Sequence, residues 1–129
     1  MRIVVAPNSL KGSCAAIDAA GVIAEAITSE GAEAIARPMA DGGEGTAAVL
    51  VRGNAAARIV KAASHDPLGR PISAEYMLVA GRACIDLASA SGLTRLSPSE
   101  RDPLRGSTHG TGELIRDALD RGVRAIMSA

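Results

Sequence analysis

Aromatic side chains are nearly absent from this sequence: it contains no Phe and no Trp, and Tyr76 stands alone. The core must therefore be built from Ala, Val, Ile, Leu and Met. Ala is abundant and buries little area, so such a core packs closely but stabilises weakly for its size. That weakness predicts a chain that relies on surface supplied from outside it. Cysteine is also scarce. Cys14 and Cys84 are the only two, which excludes a disulfide framework. One falls in a predicted helix and the other in a predicted strand, and both read as small buried hydrophobes. Charge of one sign is missing too. The 14 acidic and 14 basic side chains cancel to a formal net charge of +0. This removes the electrostatic case for nucleic acid or an anionic membrane as partner. A small anion remains bindable, because a few backbone N–H groups suffice. No apolar run approaches the roughly 20 residues a membrane helix needs. Residues Met1 to Ala6, stopped by Pro7, are too short for a signal peptide. The expected location is the cytoplasm. No internal repeat or low-complexity tract is present.

What is there begins with strand and helix signals in alternation. Ile3 to Ala6 is a short continuous apolar run, as in a buried parallel strand. Pro7 to Gly12 is a loop. Ser13 is an N-cap candidate for a helix from Cys14 to Ser29, with Ile17, Ala20, Ala24 and Ile27 as its apolar stripe. Gly21 interrupts that helix at a cost, which predicts close packing against the missing side chain. Gly31 is the expected C′ residue. Glu33 to Arg37 predicts a second strand, Met39 to Gly45 a glycine-rich acidic loop, and Thr46 to Arg52 a second helix. This opening argues for an α/β fold with parallel strands. The pattern then changes. Arg58 to Ala63, Ile72 to Val79 and Ala83 to Ala88 read as three closely spaced strands, with Ala74, Tyr76 and Leu78 on one face. Strands without intervening helices predict an antiparallel or mixed unit, with a boundary or sheet switch near residues 54–66. Ser89 to Pro98 reads as loop. Gly110 to Arg121 reads as a helix with Leu114, Ile115, Ala118 and Leu119 on its apolar side, closed by Gly122. Val123 to Met127 opens one more buried-looking strand. A strand that begins where the sequence stops suggests a domain that continues, and self-association through an incomplete sheet.

Three segments carry candidate chemistry, each ahead of a predicted helix. In Ala6-Pro7-Asn8-Ser9-Leu10-Lys11-Gly12-Ser13, the helix start offers free N–H groups to an anion, Lys11 adds a positive charge and Ser9 a hydroxyl. The plainer reading makes Ser13 a cap, Asn8 a turn former and Lys11 a solvated side chain. In Met39-Ala40-Asp41-Gly42-Gly43-Glu44-Gly45-Thr46, three glycines allow close backbone approach. Asp41 and Glu44 there can hold Mg²⁺, orient a hydroxyl or accept its proton. Acidic residues also favour helix starts without any function. Ser107-Thr108-His109-Gly110-Thr111-Gly112-Glu113 repeats the hydroxyl and glycine pattern, with Thr108 or Thr111 as cap. His109 reads as a loop histidine, since His65 is the sole other one and no ligand spacing supports a metal site. Arg101 can clamp a carboxylate or pair locally with Asp102. His65 to Gly69 is a turn. The glycine spacings match neither a dinucleotide fingerprint nor a P-loop, and there is no nucleophile elbow, which argues against a dinucleotide-dependent oxidoreductase and a Ser hydrolase.

Taken together, these segments resemble the two-domain, non-P-loop glycerate kinases of bacterial type. Ala6-Pro7-Asn8-Ser9-Leu10-Lys11 resembles the family's opening A-P-D-S-F-K, and Pro38 to Thr46 matches its P-M-A-D-G-G-E-G-T. Pro67-Leu68-Gly69, Ala88 to Leu93, Arg101 to Leu104 and Gly110 to Ile115 resemble its G-P-L-G, A-A-A-S-G-L, R-x-P-L and G-T-G-E-L-I stretches in order. Asn8, Leu10 and His109 depart from the family's Asp, Phe and Tyr.

The resemblance implies ATP- and Mg²⁺-dependent phosphoryl transfer to a hydroxyl of glycerate. It also implies a flavodoxin-like α/β domain paired with a second α/β domain. Residues 1–60 would belong to the first and 61–129 to part of the second. The family's pattern continues with another glycine-rich segment beyond the last matched residue, so part of the cleft is expected from sequence outside this chain. Asp41 and Lys11 are then the expected catalytic residues, with Asp41 also the Mg²⁺ candidate. Asn8, Ser9, Gly42, Gly43, Glu44, Gly45, Thr46, Arg101, Thr108, Thr111 and Gly112 are the substrate- and phosphate-binding candidates. The rival expectation is a chain without catalytic activity that acts as a binding or interaction module.

Overall fold

The structure, a computed structural model, describes residues 1–10 and 12–129. It is an α/β fold with two sheets. The first is a parallel pair, β1 (Arg2–Val5) and β2 (Glu33–Ala36), joined by α1 (Ala16–Ser29). After α2 (Thr46–Val51) comes the second sheet, formed by β3 (Arg58–His65), β4 (Pro71–Val79), β5 (Arg82–Ile85) and β6 (Ala125–Ser128) in that order. The β3–β4 and β4–β5 pairs are antiparallel and β5–β6 is parallel. Between β5 and β6 lie α3 (Ala88–Ser91), two single-turn 3₁₀ helices (Leu93–Arg95 and Pro98–Glu100) and α4 (His109–Asp120). A parallel pair cannot be closed by a tight turn, and this excursion through α3 and α4 supplies the crossover.

The register of the first sheet decides where its loops go. Arg2 pairs with Glu33 and Val5 with Ala36, so both strands run the same way and leave at the same rim. Pairing continues past the strands, with Arg37 N–H donating to Val5 O at 2.8 Å and Met39 N–H to Pro7 O at 2.9 Å. The chain segments at Pro7–Asn8 and Met39–Ala40 are therefore held side by side. Helix α1 packs on these strands, burying Val5, Ala16, Ala19 and Ala20. Val4, on the opposite face of β1, is 63 % exposed.

The second sheet carries the main core. Alternation along β4 turns Ala74, Tyr76 and Leu78 inward, where they meet Ala83, Ile85, Leu114 and Ala118. Ile85 and Leu114 are the largest fully buried side chains, each worth about 1.5–3 kcal/mol of transfer free energy. The other face of the sheet takes α2, whose Ala47 and Val51 pack with Cys84 and half-buried Met77 and Val79. Tyr76 donates its hydroxyl to Asp117 Oδ2 at 2.8 Å, and Arg121 Nε donates to the same oxygen at 2.7 Å. Burial and the neighbouring carboxylate together push the Tyr76 phenol up to about 12.

Several sequence expectations are corrected. Helix α1 begins at Ala16 rather than Cys14, and Ser13 does not cap it. The N–H groups of Ser13 and Cys14 both donate to Leu10 O, at 2.8 and 3.0 Å, which places both residues in a local turn ahead of the helix. Gly21 is not there for close packing, since a Cβ added to it would meet nothing within 4 Å. Ala83 to Ala88 does not stay extended. The strand ends at Ile85, with backbone pairing to Ala129 carrying on to Leu87, and the Asp86 side chain turns to the start of α2. The stretch read as loop from Ser89 contains the end of α3 and a 3₁₀ turn, with Leu96 buried. Cys84 is buried as expected, while Cys14 is half-buried.

Candidate functional site

The glycine-rich acidic loop leaves β2 and enters α2 through two glycines in left-handed backbone, Gly42 at φ 93° and Gly45 at φ 88°. Side chains with a Cβ adopt that region at a cost, which explains glycine at both positions. Gly43 N–H donates to Asp41 Oδ1 at 3.0 Å, closing a tight turn over the carboxylate. Thr46 is buried, and its hydroxyl donates to Gly43 O at 2.7 Å.

The start of α2 is held from far away in sequence. Asp86, at the carboxyl end of β5, accepts Gly45 N–H at 3.0 Å on one oxygen and Ala47 N–H at 2.8 Å on the other. A carboxylate on helix-start amides is doubly favoured, by charge-assisted hydrogen bonds and by the helix dipole. The amides of Gly45 and Ala47 thus face an internal carboxylate. Asp86 fastens the end of the second sheet to the loop that follows the first.

Around this junction the strand-end loops gather. Asn8, Met39, Ala40, Glu44 and Gly45 line a narrow space of about 40 Å³ beneath α1 and α2. Asn8 Oδ1 accepts Ser9 N–H at 2.7 Å, which shapes the first loop. Lys11 lies outside the described residues. On the other side of Glu44 opens a cleft of about 350 Å³ lined by Glu44, Asp86, Ala88, Ser89, Thr94 and Arg95. The guanidinium of Arg95 is aimed by two hydrogen bonds to Ser89 O, from Nη2 at 2.6 Å and Nε at 3.2 Å.

The remaining candidates are placed elsewhere. Arg101 and Thr108 line a second cleft of about 240 Å³ with Ser91, Leu93, Leu96 and Ser107 among its walls. Thr111 is buried with its hydroxyl 2.7 Å from that of Ser91. Gly112 is exposed on α4 with open space where a Cβ would sit. Helix α3 stands between the clefts, lining one with Ala88 and Ser89 and the other with Ser91. Close packing makes Gly110 essential here: its Cβ would fall 1.9 Å from His65 O.

Two side-chain clusters brace the clefts. Asp66 is buried at the β3–β4 turn. It accepts Leu68 N–H and Arg70 N–H, both at 2.9 Å, and the Arg70 guanidinium. Burial works against its ionisation, but these hydrogen bonds outweigh it and hold the carboxyl below its ordinary range. Arg70 also reaches Glu100 Oε1 at 2.7 Å and Arg95 O at 3.2 Å, so it ties the turn to both 3₁₀ helices. In the second cluster, Glu113 lies 3.0 Å from His65 Nδ1 and 3.4 Å from His109 Nε2. The His65 hydrogen bond holds Glu113 below the ordinary carboxyl range, against the opposing effect of burial. Among the described residues no group of three or more His, Cys, Asp or Glu is arranged to hold a metal ion. No described helix is long and apolar enough to cross a membrane.

Sequence reasoning missed Asp86, Thr94 and Arg95. Asp86 carried a usable signal, an acidic residue directly after the apolar run Ala83 to Ile85. That is the strand-end position where α/β sheets place ligand-facing groups. Reading the strand through to Ala88 hid it.

Comparison with known proteins agrees with this architecture. Residues 3–129 match the model of the glycerate kinase family. The chain is 42 % identical over 131 residues to the glycerate kinase of Bacillus subtilis strain 168, covering 98 % of this chain and 34 % of that protein. It is 36 % identical to the glycerate 2-kinase of Escherichia coli K12, with 98 % and 34 % covered. A solved structure of a provisionally assigned glycerate kinase 2 from Salmonella typhimurium LT2 superposes with a TM-score of 0.70 at 42 % identity. It covers 99 % of this chain and 35 % of that one. The chain belongs to the glycerate kinase family. It spans about a third of the length of the curated relatives it matches.

Proposed function

We propose that this chain supplies one wall of the catalytic cleft of a glycerate kinase, and that transfer requires a second wall from sequence beyond these residues. The observation that carries the reading is the junction at Asp86. It brings the loop from Asp41 to Gly45, beside Asn8, against the carboxyl end of a strand in the other sheet. In this reading β1, α1 and β2 are the start of a flavodoxin-like sheet.

The reaction is substitution at phosphorus. A glycerate hydroxyl oxygen bonds to the γ-phosphorus of ATP, the bond from that phosphorus to ADP breaks, and the hydroxyl proton goes to the Asp41 carboxylate. Catalysis of this kind is mostly positioning and charge stabilisation. Mg²⁺ usually keeps several waters and takes one or two carboxylates plus substrate phosphates. Asp41 is the candidate carboxylate for that ion, and in that alternative it would hold the metal rather than take the proton. When bound, the ion would neutralise charge on the transferring phosphoryl group. Ser9 and Lys11 would face carboxylate or phosphate, while Gly42, Gly43, Gly45 and Thr46 fix the loop. Arg101 and Thr108 would serve the second cleft, with Thr111 behind it on the Ser91 hydroxyl.

The test uses a chimera in which this chain replaces the matching third of the Bacillus subtilis relative. The chimera is expected to phosphorylate D-glycerate with ATP–Mg²⁺, and the 129-residue chain alone to show no turnover. A folded chimera without activity would remove the proposal and favour a non-catalytic binding module.

A further inference from the structure

The cleft between Glu44 and Arg95 has an unusual set of unspent groups. Among the described residues neither Arg95 nor Glu44 enters an ion pair. Arg95 uses Nε and Nη2 on Ser89 O, which fixes the plane of its guanidinium and leaves Nη1 unspent. Its backbone is fixed as well, through the Arg70 bond to Arg95 O. Thr94 also lines the cleft, and its hydroxyl has no hydrogen-bond partner among the described residues. Asp86 lines the cleft with each carboxylate oxygen holding one amide. Each such oxygen retains a further lone pair. Ser89, by contrast, spends its hydroxyl on the backbone of Glu75 and serves as wall.

We infer that this cleft is the subsite for a small hydroxy acid, with Arg95 binding the carboxylate and Asp86 and Glu44 accepting from the hydroxyls. The inference rests on the kinase reading for its choice of glycerate, and it gives that reading a location distinct from the Arg101–Thr108 cleft. The chemistry is specific. A planar guanidinium held at one edge matches a carboxylate. Two carboxylate acceptors lining the same cleft reject a second carboxylate and favour donors, which are the hydroxyls of a glycerate-sized molecule. A space of about 350 Å³ lies at the small end of ligand sites. Its walls come from Glu44 in the loop ahead of α2, from Asp86 just past β5, and from α3 and the 3₁₀ turn that follows it.

The experiment is a ¹⁵N NMR titration of this chain with D-glycerate, with glycerol, which lacks the carboxylate, and with lactate, which lacks the terminal hydroxyl. D-glycerate is expected to give saturable shifts at the amides of Gly45, Ala47, Ser89 and Thr94. Lactate should bind more weakly and glycerol not at all. Arg95→Gln should weaken D-glycerate binding about ten- to a hundredfold. Arg95→Lys, which keeps the charge but not the planar fork, should fall between. Equal response to glycerol and D-glycerate, shifts centred on Arg101 and Thr108, or no saturable shift would each overturn the inference. The chimera separates this from the kinase reading. Arg95→Gln there should raise KM for glycerate by about tenfold and leave KM for ATP unchanged. Glycerate binding at the cleft without phosphoryl transfer removes the kinase reading alone. Transfer with KM indifferent to Arg95→Gln removes the subsite alone.

Discussion

Replacing Asp86 with Ala removes the acceptor for two backbone donors at once, Gly45 N–H at 3.0 Å and Ala47 N–H at 2.8 Å. A hydrogen bond to a charged group contributes about 1.5–3 kcal/mol when buried. Asp86 is half-buried, so water will replace part of each bond, and the low end of that range applies to the pair. The expected destabilisation is about 2–3 kcal/mol. Asp86→Asn keeps one acceptor oxygen without the charge, and about 1 kcal/mol should be lost. With a urea slope of about 1–3 kcal/mol/M for a small protein, Asp86→Ala should lower the unfolding midpoint by about 0.7–3 M. Far-ultraviolet circular dichroism follows the transition, since Tyr76 is the only intrinsic aromatic reporter and there is no Trp. Native-state hydrogen exchange supplies the local readout. Gly45 and Ala47 amides should exchange much faster in Asp86→Ala, while the α4 amides follow global stability only. If the midpoint stays put and those two amides keep their protection, the junction at Asp86 does not hold the loop.

Other outcomes follow from the same packing. Gly21→Ala should stabilise by about 0.5–1 kcal/mol, because α1 has open space there and glycine costs helix entropy; chemical denaturation checks it. Gly110→Ala should cost more than about 3 kcal/mol or prevent folding, since its Cβ would lie 1.9 Å from His65 O and 2.8 Å from Ser64 Oγ. Tyr76 has its folded pKa raised to about 12 from 10.0. Its contribution is fully present below pH 10 and fades as pH rises towards 12, and Tyr76→Phe should flatten the stability profile over that window.

Much of the fold was legible because its signals are local. The apolar run at Ile3 to Val5, the stop at Pro38 and the alternation of Ala74, Tyr76 and Leu78 each specify an element without reference to the rest. The change from parallel to mixed pairing was legible too, from strands too closely spaced to hold a crossover helix. What failed depended on partners distant in sequence or on competing turns. The Asp86 side chain is engaged by amides about 40 positions away, which no window of sequence reveals. The segment ahead of α1 closes a local turn, with Ser13 and Cys14 N–H donating to Leu10 O, and the helix starts beyond it at Ala16. The glycine-rich loop was found from its composition, but the cleft beside it was not. Thr94 and Arg95 sit on a 3₁₀ turn whose polar sequence reads as plain loop.

The most direct test of the central claim is the turnover of the chimera carrying Asp41→Asn, measured as glycerate phosphorylation at saturating ATP–Mg²⁺. A carboxylate that receives the hydroxyl proton predicts a kcat lower by about a hundredfold or more with KM for glycerate nearly unchanged. A kcat equal to that of the unsubstituted chimera would contradict it.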